Sequence, residues 1–287
     1  MATTQKLAAS PVRSQNGVGL LQIPGWKGFD WLWHGFSTRR GGVSRAYLPE
    51  GLRGEACEGQ LNLGFTASDS PESVRENRLR LTEAVTGSRE TPLVTVRQIH
   101  SHRIVVVPTD WIGDQADHVG EIPEADGIMT NQPGMLLGIL TADCIPILVA
   151  DPVQRAVAAF HAGWRGTVAR IVELGVARMQ QEFGSNPANL IAAIGPGIGA
   201  CCYAVGDEVR EKVEANFAYA DDLLFRSGEH LRLDLVEANC RQLLGAGLPA
   251  SSITVVCGCT SCRPELFFSH RASGGKAGRM MAVIGIR

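Results

Sequence analysis

The sequence predicts an α/β (α+β) fold, a layered sandwich of mixed β-sheets with flanking helices. Three observations carry this. Short apolar runs that suit strands buried on both faces recur at Met135–Leu140, Ile145–Ala150 and Ala156–His161. Helical segments lie among the strands without strict βαβ alternation. No repeat of 20–50 residues and no long Pro/Ser linker divides the 287 residues, so one compact domain over 17–287 is expected after a flexible tail at 1–16.

Taken in order, strand signals come first at Gly17–Ile23 and Phe29–Ser37, followed by a turn at Thr38-Arg39-Arg40-Gly41-Gly42. Residues 47–60 are polar and Gly-rich, which reads as a long loop. Ser70-Pro71-Glu72-Ser73 marks a helix start, with Ser70 as N-cap and Pro71 at the first helical position. Val74, Leu79, Leu81 and Val85 form its expected apolar stripe. Strands resume at Pro92–Gln98 and Arg103–Pro108, then at the three runs named above. Thr167, after a Gly163–Gly166 turn, is the expected N-cap of a helix running to about Phe183. Leu190–Ile194 is a strand ending in a Gly-Pro loop. Val205–Phe217 and Asp234–Ala246 read as helices, and Ile253–Cys257 and Ala282–Ile286 as the last strands.

Composition narrows the function classes. Hydrophobic residues make up 45% and charged residues 20%, enough for a large core and incompatible with disorder of the whole chain. The net charge is −2, so no global field draws nucleic acid or an acidic membrane, and any anion site is local. The longest apolar stretch, Met135 to Ala150, is 16 residues with Asp143 inside it, whereas a span needs about 20 largely uncharged residues. The first 20 residues lack an apolar signal-peptide core. A cytoplasmic chain with reduced thiols is expected, and eight Cys are too sparse for a disulfide scaffold.

Polar residues in apolar surroundings locate the chemistry. Asp143 and Cys144 interrupt the longest apolar stretch, and a buried Asp costs several kcal/mol unless it is paired or hydrogen-bonded. His161 ends a strand just before a Gly-containing turn, where α/β sheets place ligands. His100 and His102 follow the end of another strand. Two chemistries use one Cys and two His from separate elements. One is a metal site with three protein ligands and an open position for water, as catalytic zinc requires, the water being acidified toward a pKa of about 7. The other is a Cys–His nucleophile pair. Spacing alone does not choose between them. Cys257, Cys259 and Cys262 form C-x-C-x-x-C; without a second ligand pair at finger spacing they read as reduced structural thiols, and Cys201-Cys202 reads as packing. Arg39, Arg165, Arg271 and Arg279 lie beside Gly-rich turns, which suits phosphate or carboxylate binding.

The ordered series Gln98-Ile99-His100, Thr141-Ala142-Asp143-Cys144, His161-Ala162-Gly163-Trp164-Arg165-Gly166, Gly195-Pro196 to Tyr203, and Phe267-Phe268-Ser269-His270-Arg271 with Gly278-Arg279 resembles the YfiH family. That family was formerly described as laccase-domain or polyphenol oxidase proteins and is now described as purine nucleoside phosphorylases with adenosine deaminase activity. Phe36-Ser37-Thr38-Arg39 and Leu61-Asn62-Leu63-Gly64 fit its N-terminal motifs. The resemblance implies a layered sandwich of mixed sheets and a zinc ion held by His100, Cys144 and His161, with copper as the alternative ion. It implies purine nucleosides and phosphate as partners. Within that reading Cys144, His161 and Asp143 are the catalytic set, Asp143 as proton shuttle or orienter, and Arg39, Asn62 and Arg165 are the expected substrate contacts. Residues 47–60 look like an insertion, and His270 stands where the family commonly has Tyr. The alternatives are a Cys144–His161 thiol hydrolase or amidase, and a copper phenol oxidase. Multicopper chemistry typically uses many His, and the chain has seven.

Overall fold

The computed structural model describes residues 4–48, 58–108 and 122–287. Two sheets pack face to face. One has six strands, ordered Val12–Arg13, Gly19–Leu21, Leu32–Ser37, Met280–Ile286, Met135–Thr141 and Leu93–Thr95. The other has seven, ordered Gln5–Ala8, Ile253–Cys257, Ile191–Ile194, Ile145–Asp151, Ala156–Ala162, Gly127–Thr130 and Ile104–Val106. Both mix parallel and antiparallel pairs. Leu137, Ile139, Leu148, Ala150, Ala159 and Ile284 fill the space between them. The outer face of the larger sheet is covered by the helices Ile171–Phe183, Asp207–Asn216 and Leu235–Gly245, and that of the smaller by Pro71–Thr86. The central strands are buried on both faces, which explains their continuous apolar runs.

The chain crosses between the sheets at two places that matter below. Met135–Thr141 belongs to the smaller sheet and Ile145–Asp151 to the larger, so Ala142-Asp143-Cys144 is the step between them. Leu93–Thr95 and Ile104–Val106 are divided in the same way, so residues 96–103 make a second step.

Several elements depart from the sequence reading. The N-terminal tail is not wholly loose: Gln5–Ala8 adds a parallel strand beside Ile253–Cys257, and Val12–Arg13 pairs with Gly19–Leu20. Arg40–Gly42, expected as a turn, pairs with Gly59–Gln60. Of the loop at 47–60, residues 49–57 lie outside the described residues. Ser70 caps its helix as expected, its Oγ accepting from Ser73 N at 3.1 Å. The buried face of that helix carries Asn77 and Arg78 beside Val74 and Leu81, while Leu79 is only half-buried. Asn77 satisfies itself there by donating to Ser44 Oγ and Asn62 O and accepting from Val43 N.

Thr167 is not a helix N-cap. A short helix, Trp164–Val168, is already under way, and the longer one starts at Ile171 after Arg170 takes a left-handed conformation (φ 61°). Tertiary contacts hold the break. Gln242 Nε2 and Arg170 N donate to the Thr167 carbonyl at 2.6 and 3.0 Å, and Asn239 Nδ2 donates to its hydroxyl. A hairpin, Leu224–Ser227 with His230–Leu233, is also present.

Candidate metal centre

Three ligand-type side chains converge where the two steps between the sheets meet the end of strand Ala156–Ala162. His100, Cys144 and His161 have their ligand atoms within 4.8 Å of one another, and the imidazole rings stand edge to face with centroids 4.9 Å apart. Strand register explains two of the three. Ile145 pairs with Ala162, so the next position along places Cys144 beside Gly163. A Cβ at Gly163 would sit 2.9 Å from Cys144 Sγ and 3.5 Å from His100 Cδ2; only glycine admits this approach. His100 is brought in by Gln98, whose amide donates to Leu140 O and accepts from Leu140 N, both at 2.8 Å. Of the four described non-glycine residues with positive φ, two are here, His100 (59°) and Asp143 (93°), and such backbone strain collects at functional sites.

One organising residue escaped the sequence reading. Asp126 is fully buried. Its carboxylate accepts from the backbone N–H groups of Ile99, His100 and Ser101, from Ser101 Oγ at 2.8 Å, and from His161 Nδ1 at 2.8 Å. One carboxylate thereby shapes the His100 loop and engages His161 through Nδ1, which leaves Nε2 available as a ligand atom; carboxylate–histidine pairs of this kind orient metal ligands. The only trace in the sequence is an Asp-Gly before a strand, which resembles an ordinary turn.

The electrostatics are those of a charged site. Burial alone would raise the Cys144 thiol, but the His161 and His100 rings outweigh it and hold the pKa at about 6. Burial alone would lower His161, but Cys144 and Asp126 raise it to about 9. Burial would raise Asp126, but hydrogen bonds from His161 and Ser101 bring it down to about 2. A thiolate is thus available at neutral pH, which is the ionisation metal binding requires.

The three side chains line a cavity of about 510 Å³. Its wall also carries Tyr203, His270, Arg271, Arg279, Gln98 and Asp143. Asp143 has both carboxylate oxygens engaged, accepting from Thr260 Oγ1 at 2.6 Å and Arg271 N at 2.7 Å. It ties the loops carrying Thr260 and Arg271 to the segment that carries Cys144.

The three expected substrate contacts do not line this cavity. Arg39 faces a separate cavity of about 900 Å³, where it donates to Gln60 Oε1 and Pro264 O and stacks on Phe268. Asn62 is fully buried. Its Nδ2 donates to Asp69 and Gly64 O, and its Oδ1 accepts from Arg279 N at 2.8 Å. Arg165 is half exposed, stacked on Trp164 with Glu208 3.7 Å away. Cationic groups on the cavity wall come instead from Arg97, Arg271 and Arg279, the last two marked by the sequence only as arginines beside Gly-rich turns.

A mixed-sheet sandwich carries, on a cavity wall, a His–Cys–His cluster able to hold a metal ion. Residues 33–287 match the family described as multi-copper polyphenol oxidoreductase laccase. A purine nucleoside phosphorylase, YlmD of Geobacillus stearothermophilus, is 38% identical over 260 residues, 90% of this chain and 94% of that protein. An adenosine deaminase of an unknown prokaryotic organism is 34% identical over 247 residues, covering 85% of this chain and 90% of the relative. The crystal structure of a Bacillus licheniformis hypothetical protein, YfiH, superposes with a TM-score of 0.81 at 34% identity, covering 96% of this chain and 97% of that one. The chain belongs to this laccase-domain, or YfiH, family, as its motif series predicts. No helix among the described residues is long and apolar enough to cross a membrane.

Proposed function

We propose that this protein is a zinc-dependent purine nucleoside phosphorylase with adenosine deaminase activity, acting in the cytoplasm. The observation that carries the reading is the His100–Cys144–His161 cluster, braced by Asp126, on the wall of a cavity whose size suits a nucleoside with phosphate. Two imidazoles and a thiolate suit zinc, and three protein ligands leave a coordination position open. Zinc held there supplies Lewis acidity and lowers the pKa of a water ligand toward about 7.

The chain's own groups do the rest. Phosphorolysis forms a bond from a phosphate oxygen to C1′ and breaks the bond from C1′ to N9, and the purine leaves with a proton at N7. Arg271 and Arg279 hold the phosphate against C1′, as guanidinium forks suit its geometry. Tyr203 and His270 flank the base, and the exposed His270 imidazole is placed to give the proton to N7. Asp143 positions Arg271 through its backbone N–H. Deamination adds water at C6 of adenine and releases ammonia, and the His270 imidazole on the cavity wall is the group placed to carry the proton from the water to the leaving amine. Among the described residues, the one cluster of three or more ligand-type side chains that contains histidine is this trio, which supports a single catalytic ion over a multicopper oxidase.

A second reading, a thiol hydrolase using Cys144 with His161, is favoured by the low thiol pKa and raised imidazole pKa of the metal-free chain. The deciding experiment incubates adenosine and inosine with and without phosphate, after chelation, after zinc restoration, and after thiol alkylation in the zinc-loaded state. Activity lost to chelator and restored by zinc supports the phosphorylase. Activity indifferent to chelator but lost on alkylation supports the hydrolase.

A further inference from the structure

We propose that Cys201, Cys202, Cys259 and Cys262 form a second metal site, a closed tetrathiolate centre for Zn²⁺ that clamps together the two loops behind the cavity wall. The strands Ile191–Ile194 and Ile253–Cys257 are parallel neighbours, with Ile194 paired to Val255. Their loops therefore leave the sheet at the same end. Gly197 bridges to Cys259, and Thr260 N donates to Gly197 O at 2.9 Å. This contact sets Cys201-Cys202 against the C-x-x-C turn, supplying the second ligand pair that spacing in the sequence does not reveal.

The four sulfurs lie within 4.8 Å of one another, with Cys262 Sγ 3.5 Å from Cys201 Sγ and 3.2 Å from Cys202 Sγ. Zinc–sulfur bonds of about 2.3 Å in a tetrahedron require sulfurs about 3.8 Å apart, so small side-chain adjustments suffice. The surroundings are those of a thiolate site. Gly199 N donates to Cys259 Sγ at 3.2 Å, and Cys262 N donates to the same sulfur. A Cβ at Gly199 would sit 3.1 Å from Cys259 Cβ and 3.2 Å from Cys201 Sγ, so the loops close on one another only with glycine there. Binding releases the four thiol protons and leaves a centre of net charge −2; the Arg232 guanidinium, which donates to Cys201 O, lies beside it. Four sulfurs fill the tetrahedron, so the ion is structural. It secures Tyr203, next to Cys202, and Thr260, which holds Asp143, and through them the cavity wall.

The test uses the full chain, purified under reducing conditions, with Cys144→Ala to disable the cavity cluster. The proposal expects Cys144→Ala to retain about one equivalent of zinc. Loaded with Co²⁺, it is expected to show the intense sulfur-to-metal absorption of a tetrathiolate. Adding Cys259→Ser and Cys262→Ser removes both the ion and the band. Zinc or cobalt below about 0.1 equivalent in Cys144→Ala with its thiols reduced overturns the proposal. A disulfide among the four, seen by intact mass in reduced preparations, does the same. Should the added serines prevent folding, the cobalt spectrum of Cys144→Ala alone decides. Because the cavity cluster is disabled throughout, the outcome is independent of the function proposed above.

Discussion

His100, Cys144 and His161 meet below a cavity, with a buried carboxylate behind them and no fourth protein ligand among the described residues. Cys201, Cys202, Cys259 and Cys262 meet on exposed loops, braced only by backbone N–H groups, and already number four. The first arrangement leaves a place for a reactant and the second does not. On the roles proposed above, ligand count and access, rather than sulfur content, assign chemistry to the first cluster and structure to the second.

The largest expected effect breaks the first cluster. Cys144→Ala should lose the cavity ion and both nucleoside activities, a fall on the order of a thousandfold if several kcal/mol of transition-state stabilisation depend on it. Phosphorolysis assays with metal analysis check this, and full phosphorolysis by metal-free Cys144→Ala would contradict the assignment. Next comes the brace that the thiol cluster lacks. Asp126→Asn should lower zinc affinity at the cavity, and activity with it, by about 10–100-fold, read by competitive chelation and kcat/KM. An unchanged zinc affinity would mean that the carboxylate serves only the backbone.

A smaller effect should come from crowding. Gly163 has an ordinary φ of −68°, so Gly163→Ala acts through space alone, pressing on Cys144 Sγ. Displacing a ligand by less than 1 Å is expected to weaken activity roughly tenfold, with the thiol-cluster ion retained. The smallest should fall on His34, a histidine away from both clusters. Burial first, and Lys27 second, lower its pKa to about 4; its Nδ1 has no hydrogen-bond partner among the described residues, and Trp26 packs at its ring edge. The unfolded chain takes up this proton near pH 6.5 and the folded chain only near 4. Stability from this residue is therefore full above pH 6.5 and lost as pH falls toward 4, on the order of 3 kcal/mol. In metal-free protein, His34→Phe should flatten the melting temperature across that window and leave activity at neutral pH unchanged. A variant as acid-sensitive as the parent would refute it.

What the sequence disclosed follows the same division. Buried strands announce themselves as apolar runs, so a polar pair inside one, Asp143-Cys144, was visible as a site. His161 was visible because it closes such a run. Asp126 was not, since a lone Asp-Gly is turn chemistry until folding brings His161 and the His100 loop to it. The partnership of Cys201-Cys202 with Cys259 and Cys262 depends on two parallel strands ending level, which no local spacing encodes. The break after Thr167 is set by Gln242 and Asn239, about 70 residues away. The strand Gln5–Ala8 is half polar and mostly exposed, so its only signal is an unpaired sheet edge elsewhere in the chain. Arg39 and Asn62, drawn from genuine motifs, turn out to be committed to internal hydrogen bonds, and Asn62 reaches the cavity only through the backbone of Arg279.

Two of the three proposed cavity ligands ride on the segments that step from the six-stranded sheet to the seven-stranded one, and the third lies at the end of a strand of the larger sheet. Neither half of the sandwich carries a complete ligand set until the two faces have closed. An ion captured there acts as a rivet driven through a finished seam: its uptake during refolding would time the final docking of the sheets, and its presence would oppose their parting.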